Sequence, residues 1–138
     1  METTVIFSLK PKFADLIETR EKTHEFRSYV PKNIPKYIWF YITTPICRLT
    51  YIAEVSEITE YPNKIPHNGY GNKDFNNGLK KSKFAYHILN LHKLKEPITL
   101  TALRPIYGFV APQGFTYANK YPALIKYLED TTKLVKIF

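Results

Sequence analysis

Short apolar runs alternate with polar and proline-containing segments along the 138 residues of this chain. Five of the runs are rich in β-branched and aromatic residues, and several alternate apolar with polar positions, which is typical of half-buried strands. The predicted strands are residues 4–9, 21–29, 37–43, 48–59 and 82–94. Prolines and glycines in the intervening residues 30–35 and 61–70 predict a turn and a loop.

Helical patterns are fewer and shorter than strand patterns. Pro11 is well placed as the first residue of a helix, and Phe13, Leu16 and Ile17 supply an apolar face at helical spacing. Further short helices are predicted at residues 73–79, 100–103 and 122–128. Many strands with a few short helices favour an α+β fold with a curled, barrel-like sheet and helices at its ends, over a layered fold of alternating strands and helices.

Length and composition predict a single domain spanning residues 1–138. A chain of this length can bury a substantial core, and 44% hydrophobic residues exclude a disordered chain. No apolar run approaches the ~20 residues of a membrane-spanning helix, so we expect no membrane partner. Cys47 is the only cysteine, which excludes an internal disulfide. We therefore expect no disulfide-linked partner and a cytoplasmic location.

The net charge of +8 comes from the middle of the chain. Residues 61–126 contain ten lysines and arginines against Asp74 and Glu96, whereas the flanking parts are each neutral. Such an excess predicts a surface that faces a polyanion, with Lys80, Lys81 and Lys83 as its candidate nucleic-acid contacts. The other interpretation is that these lysines only keep the protein soluble.

Residues 22–27 concentrate charged side chains in the predicted second strand. Because successive side chains of a strand point to opposite faces, Glu25 and Arg27 share one face and Phe26 lies on the other. We expect Phe26 to pack in the core, which leaves Glu25 and Arg27 on the surface or in a cavity. An ordinary ion pair on a solvated edge strand, worth about 0–1 kcal/mol, is the alternative.

The histidines do not predict a metal site. His87 and His92 are close in sequence, His24 and His67 are isolated, and no carboxylate cluster accompanies them. The chain also lacks a dinucleotide fingerprint and a phosphate-cradling glycine loop, so we expect no metal and no cofactor. Four aromatic residues are either stacking platforms for a base or core residues of a small barrel. They are Trp39, Tyr41, Phe115 and Tyr117.

Lys22, Glu25 and Arg27 match the signature Gly-x-Lys-x-x-Glu-x-Arg, and the chain resembles the ASCH domains of the PUA-like superfamily. The resemblance extends over about residues 4–118 and implies a PUA-like β-barrel. Its other segments, in the family's order, are residues 8–17, 71–78, 83–88, 95–100 and 111–117. Arg20 takes the glycine position of the signature. Since glycine there suits a turn with positive φ, Arg20 predicts a reshaped or mildly strained loop.

The candidate ligand-binding residues offer hydrogen bonds and positive charge. Glu25 and Arg27 present an acceptor and a donor that suit the polar edge of a nucleobase. Lys10 and Lys12 lie at a helix N-terminus, where free backbone N–H groups favour anions, and with Lys22 they are expected to hold a phosphate. The full candidate set is Lys10, Lys12, Lys22, Glu25, Arg27, Gln113 and Tyr117, the last two lining the far wall.

Two classes of function fit this set. The first is a domain that binds a nucleic acid, RNA in the first place, or a modified nucleobase in a cleft of the barrel. The second is a small hydrolase with Lys22 and Glu25 as catalytic residues, since the ASCH family includes acetylcytidine amidohydrolases and ribonucleases. The acetylcytidine enzymes have a threonine where this chain has Glu25, and a carboxylate there is suited to a general base but does not replace a hydroxyl nucleophile.

Overall fold

A computed structural model of the chain describes residues 2–138; Met1, the first residue of the predicted domain, lies outside the described residues. Residues 2–138 form seven strands, four α-helices and two 3-10 turns. The strands are β1 (Thr4–Leu9), β2 (His24–Arg27), β3 (Tyr37–Ile42), β4 (Arg48–Glu60), β5 (Phe84–Thr99), β6 (Phe115–Tyr117) and β7 (Leu134–Lys136). The helices are α1 (Pro11–Glu18), α2 (Asn72–Asn76), α3 (Leu100–Tyr107) and α4 (Pro122–Leu128), and the 3-10 turns are Ala118–Lys120 and Thr131–Lys133.

All seven strands belong to one mixed sheet. The strand order is β2-β5-β4-β3-β1-β6, and β7 pairs with β5 beyond the segment that pairs with β2. The β1–β3 pair is parallel and the other pairs are antiparallel. The sheet curls into a half-barrel with the short helices around it, which confirms the predicted α+β, PUA-like architecture.

The curl of the sheet separates two apolar cores. Along β1 the side chains of Val5, Phe7 and Leu9 enter the core inside the curl, and Ile6 between them enters a second core outside it. The second core also takes Trp39 and Tyr41 and is covered by α3 and α4. These two aromatic rings are 6% and 3% exposed, so they are core residues and not stacking platforms.

The predicted elements agree with the structure best where the apolar pattern is strong. The bounds of β1 and α4 are as predicted, and α1 begins at Pro11. The second strand is shorter than predicted, since only His24–Arg27 pairs with β5. The last long strand is longer, because β5 continues to Thr99 beside β4. No helix within residues 2–138 has the length and apolar character needed to cross a bilayer.

Candidate functional site

The Glu25–Arg27 pair lies inside the curl, at the edge of the sheet. The Glu25 carboxylate is 5% exposed and accepts a hydrogen bond from Arg27 Nε at 2.8 Å. Arg27 Nη2 also donates to the backbone carbonyl of Ser8 in β1 at 2.8 Å, and the guanidinium lies 4.1 Å from the centre of the Phe7 ring. Since β2 and β1 are not neighbours in the sheet, Arg27 bridges the open seam of the half-barrel.

Lys22 joins this pair because the chain bends just before β2. Arg20 adopts φ of 68°, the left-handed conformation predicted for the glycine position of the signature, and Lys22 N donates to Leu16 O at 2.9 Å. The bend brings Lys22 Nζ to 3.5 Å from Glu25 Oε1. In an extended strand the two side chains would point to opposite faces, so this turn is what makes them converge.

The Lys22 ammonium is held in an unusual environment. The residue is 3% exposed, and its Nζ lies 4.3 Å from the centre of the Phe26 ring and 5.3 Å from that of Phe13. Burial lowers the pKa of Lys22 to about 8, against the opposing attraction of Glu25 and with further lowering by Lys80 and Arg27. A lysine in this range is charged at neutral pH yet able to accept a proton at slightly alkaline pH.

The expectation that Phe26 packs in the main core is wrong. Phe26 is half-buried on the outer face of β2, where its ring stacks on Phe75 of α2 at 5.6 Å in a small separate cluster. The main core side of β2 is instead occupied by Glu25 and Arg27. The charged pair can be buried there because each partner neutralises the other and Arg27 also donates to a backbone carbonyl.

Lys80 approaches the same phenyl ring. Its Nζ lies 4.6 Å from the centre of the Phe26 ring, and its chain passes beside Gly71. A Cβ on Gly71 would meet Lys80 Cε and Phe26 Cε2 at 3.0 Å each, and the φ of this glycine is +81°. Only a glycine therefore fits comfortably between Lys80 and Phe26. We use the name "Lys22 site" for Lys22, Glu25, Arg27 and Lys80.

The rim of the Lys22 site carries an aromatic residue that the sequence interpretation missed. Tyr70 is 42% exposed, and its ring centre lies 6.0 Å from Lys22 Nζ, 5.6 Å from Lys12 Nζ and 6.0 Å from the Phe13 ring. The signal was the tyrosine between Gly69 and Gly71, since an aromatic residue flanked by glycines in a polar loop is poorly suited to a core.

The other predicted lysines differ in how closely they approach the site. Lys10 is exposed and caps the N-terminus of α1, and Lys12 reaches the rim at Tyr70. Lys81 is exposed. Lys83 is engaged locally, because its Nζ donates to Gly78 O at 3.2 Å and lies 5.0 Å from the centre of the Tyr61 ring.

The predicted far wall is only partly present. Gln113 is exposed and follows Pro112, whose carbonyl accepts a hydrogen bond from Ser8 Oγ at 2.6 Å, so its backbone lies near the seam. The structure does not bring Tyr117 to the Lys22 site. The Tyr117 hydroxyl accepts from Asn33 N at 3.0 Å, and the residue lines a different cavity of 140 Å³.

His24 is isolated in the sequence but not in the structure, because the register between β2 and β5 pairs it with His87. Their ring centres are 5.0 Å apart, His24 Nδ1 is hydrogen-bonded to Thr23 Oγ1 at 2.8 Å, and His87 Nδ1 to Ser56 Oγ at 2.6 Å. Burial, His87 and Lys22 lower the pKa of His24 to about 4, so this imidazole is neutral at physiological pH. The two rings line a cavity of 350 Å³ on the outer face of the sheet. Sequence distance alone concealed this pair.

Comparison with known proteins supports the family resemblance. No protein-family model matches the chain. The chain is similar to an "ASCH domain-containing ribonuclease" of Zymomonas mobilis subsp. mobilis, with 29% identity over 143 residues that cover 96% of this chain and 90% of that protein.

Solved structures share the fold. The crystal structure of ASCH from Zymomonas mobilis matches with a TM-score of 0.65 and 22% identity, over 89% of this chain and 94% of that one. A tyrosine-to-phenylalanine mutant of the same protein matches with a TM-score of 0.69 and 21% identity, over 89% and 96% of the two chains. Sequence similarity along nearly the whole chain, a shared half-barrel and a signature whose charged residues converge at the seam support the resemblance: this chain has the fold of the Zymomonas ASCH structures and is similar in sequence to an ASCH domain-containing protein.

Proposed function

We propose that this protein binds single-stranded RNA and holds the sugar–phosphate backbone at the Lys22 site. The observation that carries the proposal is a cluster of three cationic side chains at the open seam, in which Lys22 and Arg27 share one buried carboxylate and Lys80 lies against the Phe26 ring that Lys22 also contacts. Glu25 neutralises only part of their charge, and the remainder favours an anion such as a phosphodiester. Arg27 commits Nε and Nη2 to protein acceptors, which leaves the rest of its guanidinium for a ligand.

The surroundings of the site suit an unpaired strand. Tyr70 offers an exposed ring on which a base can stack, and base stacking on aromatic side chains is a general mode of single-strand recognition. Lys22 is nearly inaccessible, so a ligand reaches its ammonium by rotation of the bordering side chains of Tyr70 and Lys80. Lys12 and Lys81 extend the positive surface on either side.

RNA cleavage is the second candidate function, and the lowered pKa of Lys22 is the observation that favours it. The similar Zymomonas protein carries the name ribonuclease, which agrees with this candidate. In the proposed reaction, the neutral Lys22 amine takes the proton of a ribose 2′-hydroxyl and becomes an ammonium. The 2′-oxygen then bonds to the adjacent phosphorus, the bond to the 5′-oxygen breaks, and that oxygen takes a proton from solvent water. Arg27 and Lys80 stabilise the negative charge that develops on the phosphate oxygens.

The salt dependence of RNA binding tests the proposal. We expect the logarithm of the association constant to fall linearly with the logarithm of the salt concentration, because bound lysines release counterions from the strand. Replacing Lys80, Lys81 and Lys83 together with glutamate should weaken binding and reduce the slope by up to about 2, from roughly 0.7 per phosphate contact. Fluorescence anisotropy with a labelled single-stranded RNA measures both quantities.

A matched control distinguishes the effect of local lysine contacts on RNA binding from the effect of net charge. Glutamate at Lys126, Lys133 and Lys136 changes the net charge by the same amount on the α4 and β7 side of the molecule. This control variant should keep most of the slope. Equal losses in the two triple variants would contradict a defined RNA surface, and wild-type binding in the first variant would remove these lysines from it.

Deacetylation of acetylcytidine is not expected. The threonine of the acetylcytidine enzymes is Glu25 in this chain, and its carboxylate is already held by Arg27 and Lys22. Purified protein incubated with acetylcytidine should therefore release no cytidine above the protein-free rate, as measured by chromatography. Turnover that disappears in both Lys22→Ala and Glu25→Ala would instead make the chain a nucleoside hydrolase with a carboxylate in the place of the hydroxyl.

A further inference from the structure

Lys80 is a half-buried member of the Lys22 site. Its ammonium and that of Lys22 lie 4.6 and 4.3 Å from the centre of the same Phe26 ring, and Gly71 leaves the room that its stem needs. No carboxylate of residues 2–138 lies within ion-pair distance of Lys80. The fold thus holds two ammonium groups close together and gives a counter-ion to only one of them.

The charge of the site follows from its four members. Lys22, Arg27 and Lys80 are cationic, and among residues 2–138 Glu25 is the only carboxylate in ion-pair contact with Lys22 and Arg27, while Lys80 has none. With Lys22 protonated, the site has an excess of two positive charges. Without Lys80 the excess would be one. A phosphodiester carries a single negative charge, whereas a phosphate monoester carries about −1.5 to −2 at pH 7.

We propose that the Lys22 site selects a terminal phosphate monoester, on an RNA end or a nucleotide, over an internal phosphodiester, and that Lys80 supplies the charge that makes this selection. The proposal rests on the proposed RNA binding and specifies its ligand. A monoester also presents three terminal oxygens, enough for Lys22, Lys80 and Arg27 to contact one each. The Phe26 ring lies beside both ammonium groups and limits how far their charge is satisfied by water.

The test compares ligands that differ by one methyl ester and therefore in charge. Deoxyuridine 5′-monophosphate and 3′-monophosphate are each compared with their methyl diesters, and the deoxyribose excludes cleavage by a 2′-hydroxyl. We expect at least one monoester to bind about tenfold more tightly than its methyl diester at pH 7, measured by titration calorimetry at low salt. Lys80→Gln should reduce this ratio to about twofold, and Lys80→Arg should preserve it because the charge is kept. Lys126→Gln, at an exposed lysine of α4 outside the proposed RNA surface, should leave the ratio unchanged.

The pH dependence gives a second readout, which follows the charges of the ligand and of Lys22. The preference should decline as pH falls through about 6, where the monoester dianion takes up a proton and its charge falls to −1. It should also decline above about 8, where Lys22 loses its proton. Glu25 and Arg27 are the other charged groups that face Lys22, and His24, with a pKa of about 4, stays neutral throughout.

Different results would overturn the selection of a terminal phosphate and the proposed RNA binding. Equal affinity for monoesters and diesters, together with salt-dependent binding of a long single-stranded RNA, would overturn the selection of a terminal phosphate and leave RNA binding in place. A preference that survives in Lys80→Gln would overturn the role of Lys80. Failure to bind any of the phosphate ligands and the long RNA would overturn the proposed function itself.

Discussion

Replacing Glu25 with glutamine should lower the free energy of unfolding by about 3–5 kcal/mol, the usual cost of removing one partner from a buried ion pair. Glu25 is 5% exposed and, in the part of the chain that the structure describes, is the only carboxylate in contact with Lys22 and Arg27. A neutral amide at this position leaves two cations without a counter-ion inside the half-barrel. Because the attraction of Glu25 raises the pKa of Lys22, its loss should also lower that pKa below its present value of about 8. Chemical denaturation monitored by circular dichroism measures the loss of stability.

Two other variants show whether the loss of stability is specific to the buried ion pair. Glu18→Gln removes the carboxylate of the Glu18–Lys93 pair, whose side chains are 31% and 38% exposed, and should cost at most about 1 kcal/mol. Phe26→Ala should cost less than Glu25→Gln, since Phe26 belongs to a small outer cluster and not to the main core. If Phe26→Ala proved the more damaging change, the assignment of the two faces of β2 would have to be reversed.

This ranking is the opposite of what the sequence alone predicts, and the reason is general. Alternation along residues 22–27 identifies which side chains share a face, but it does not say which face is covered. The sequence interpretation gave the core to Phe26 because an aromatic residue is the more common occupant. In the structure the open seam beside β2 admits the ion pair, and α2 with the preceding loop provides a second apolar cluster for Phe26.

Local patterns predicted local structure well. The apolar run of β1, the proline at the start of α1 and the helix α4 were all predicted from spacing alone. Arg20 in a glycine position predicted an unusual turn, and its φ of 68° confirms that prediction. Each of these features depends on interactions between residues that are close in sequence, which is why a single sequence was sufficient.

The Lys22 site was harder to predict, because its residues come together through contacts between parts of the chain that are far apart in sequence. Lys80 and Tyr70 reach Lys22 only because the loop after β4 and helix α2 return to the edge of β2. The pairing of His24 with His87 depends on the register between β2 and β5. The family resemblance predicted part of the site, since it placed Lys22, Glu25 and Arg27 together without any knowledge of these contacts. It did not indicate Lys80 as more than a surface lysine.

Lys22→Met should reduce RNA cleavage by about 10²–10⁴-fold, the usual contribution of a general base, if the second candidate function is correct. The wild-type rate at saturating RNA should rise about tenfold per pH unit below a pKa of about 8 and level off above it, because only the neutral amine accepts the 2′-hydroxyl proton. The KM for RNA should rise over the same range, since deprotonation of Lys22 removes one of the three cations that hold the phosphate. Gel analysis of a labelled single-stranded RNA, corrected for alkaline hydrolysis without protein, gives both values. Lys126→Met, at an exposed lysine of α4, is the matched control that should retain the wild-type profile. Cleavage that persists in Lys22→Met with an unchanged pH profile would exclude Lys22 as the base and leave it as a cation that binds phosphate.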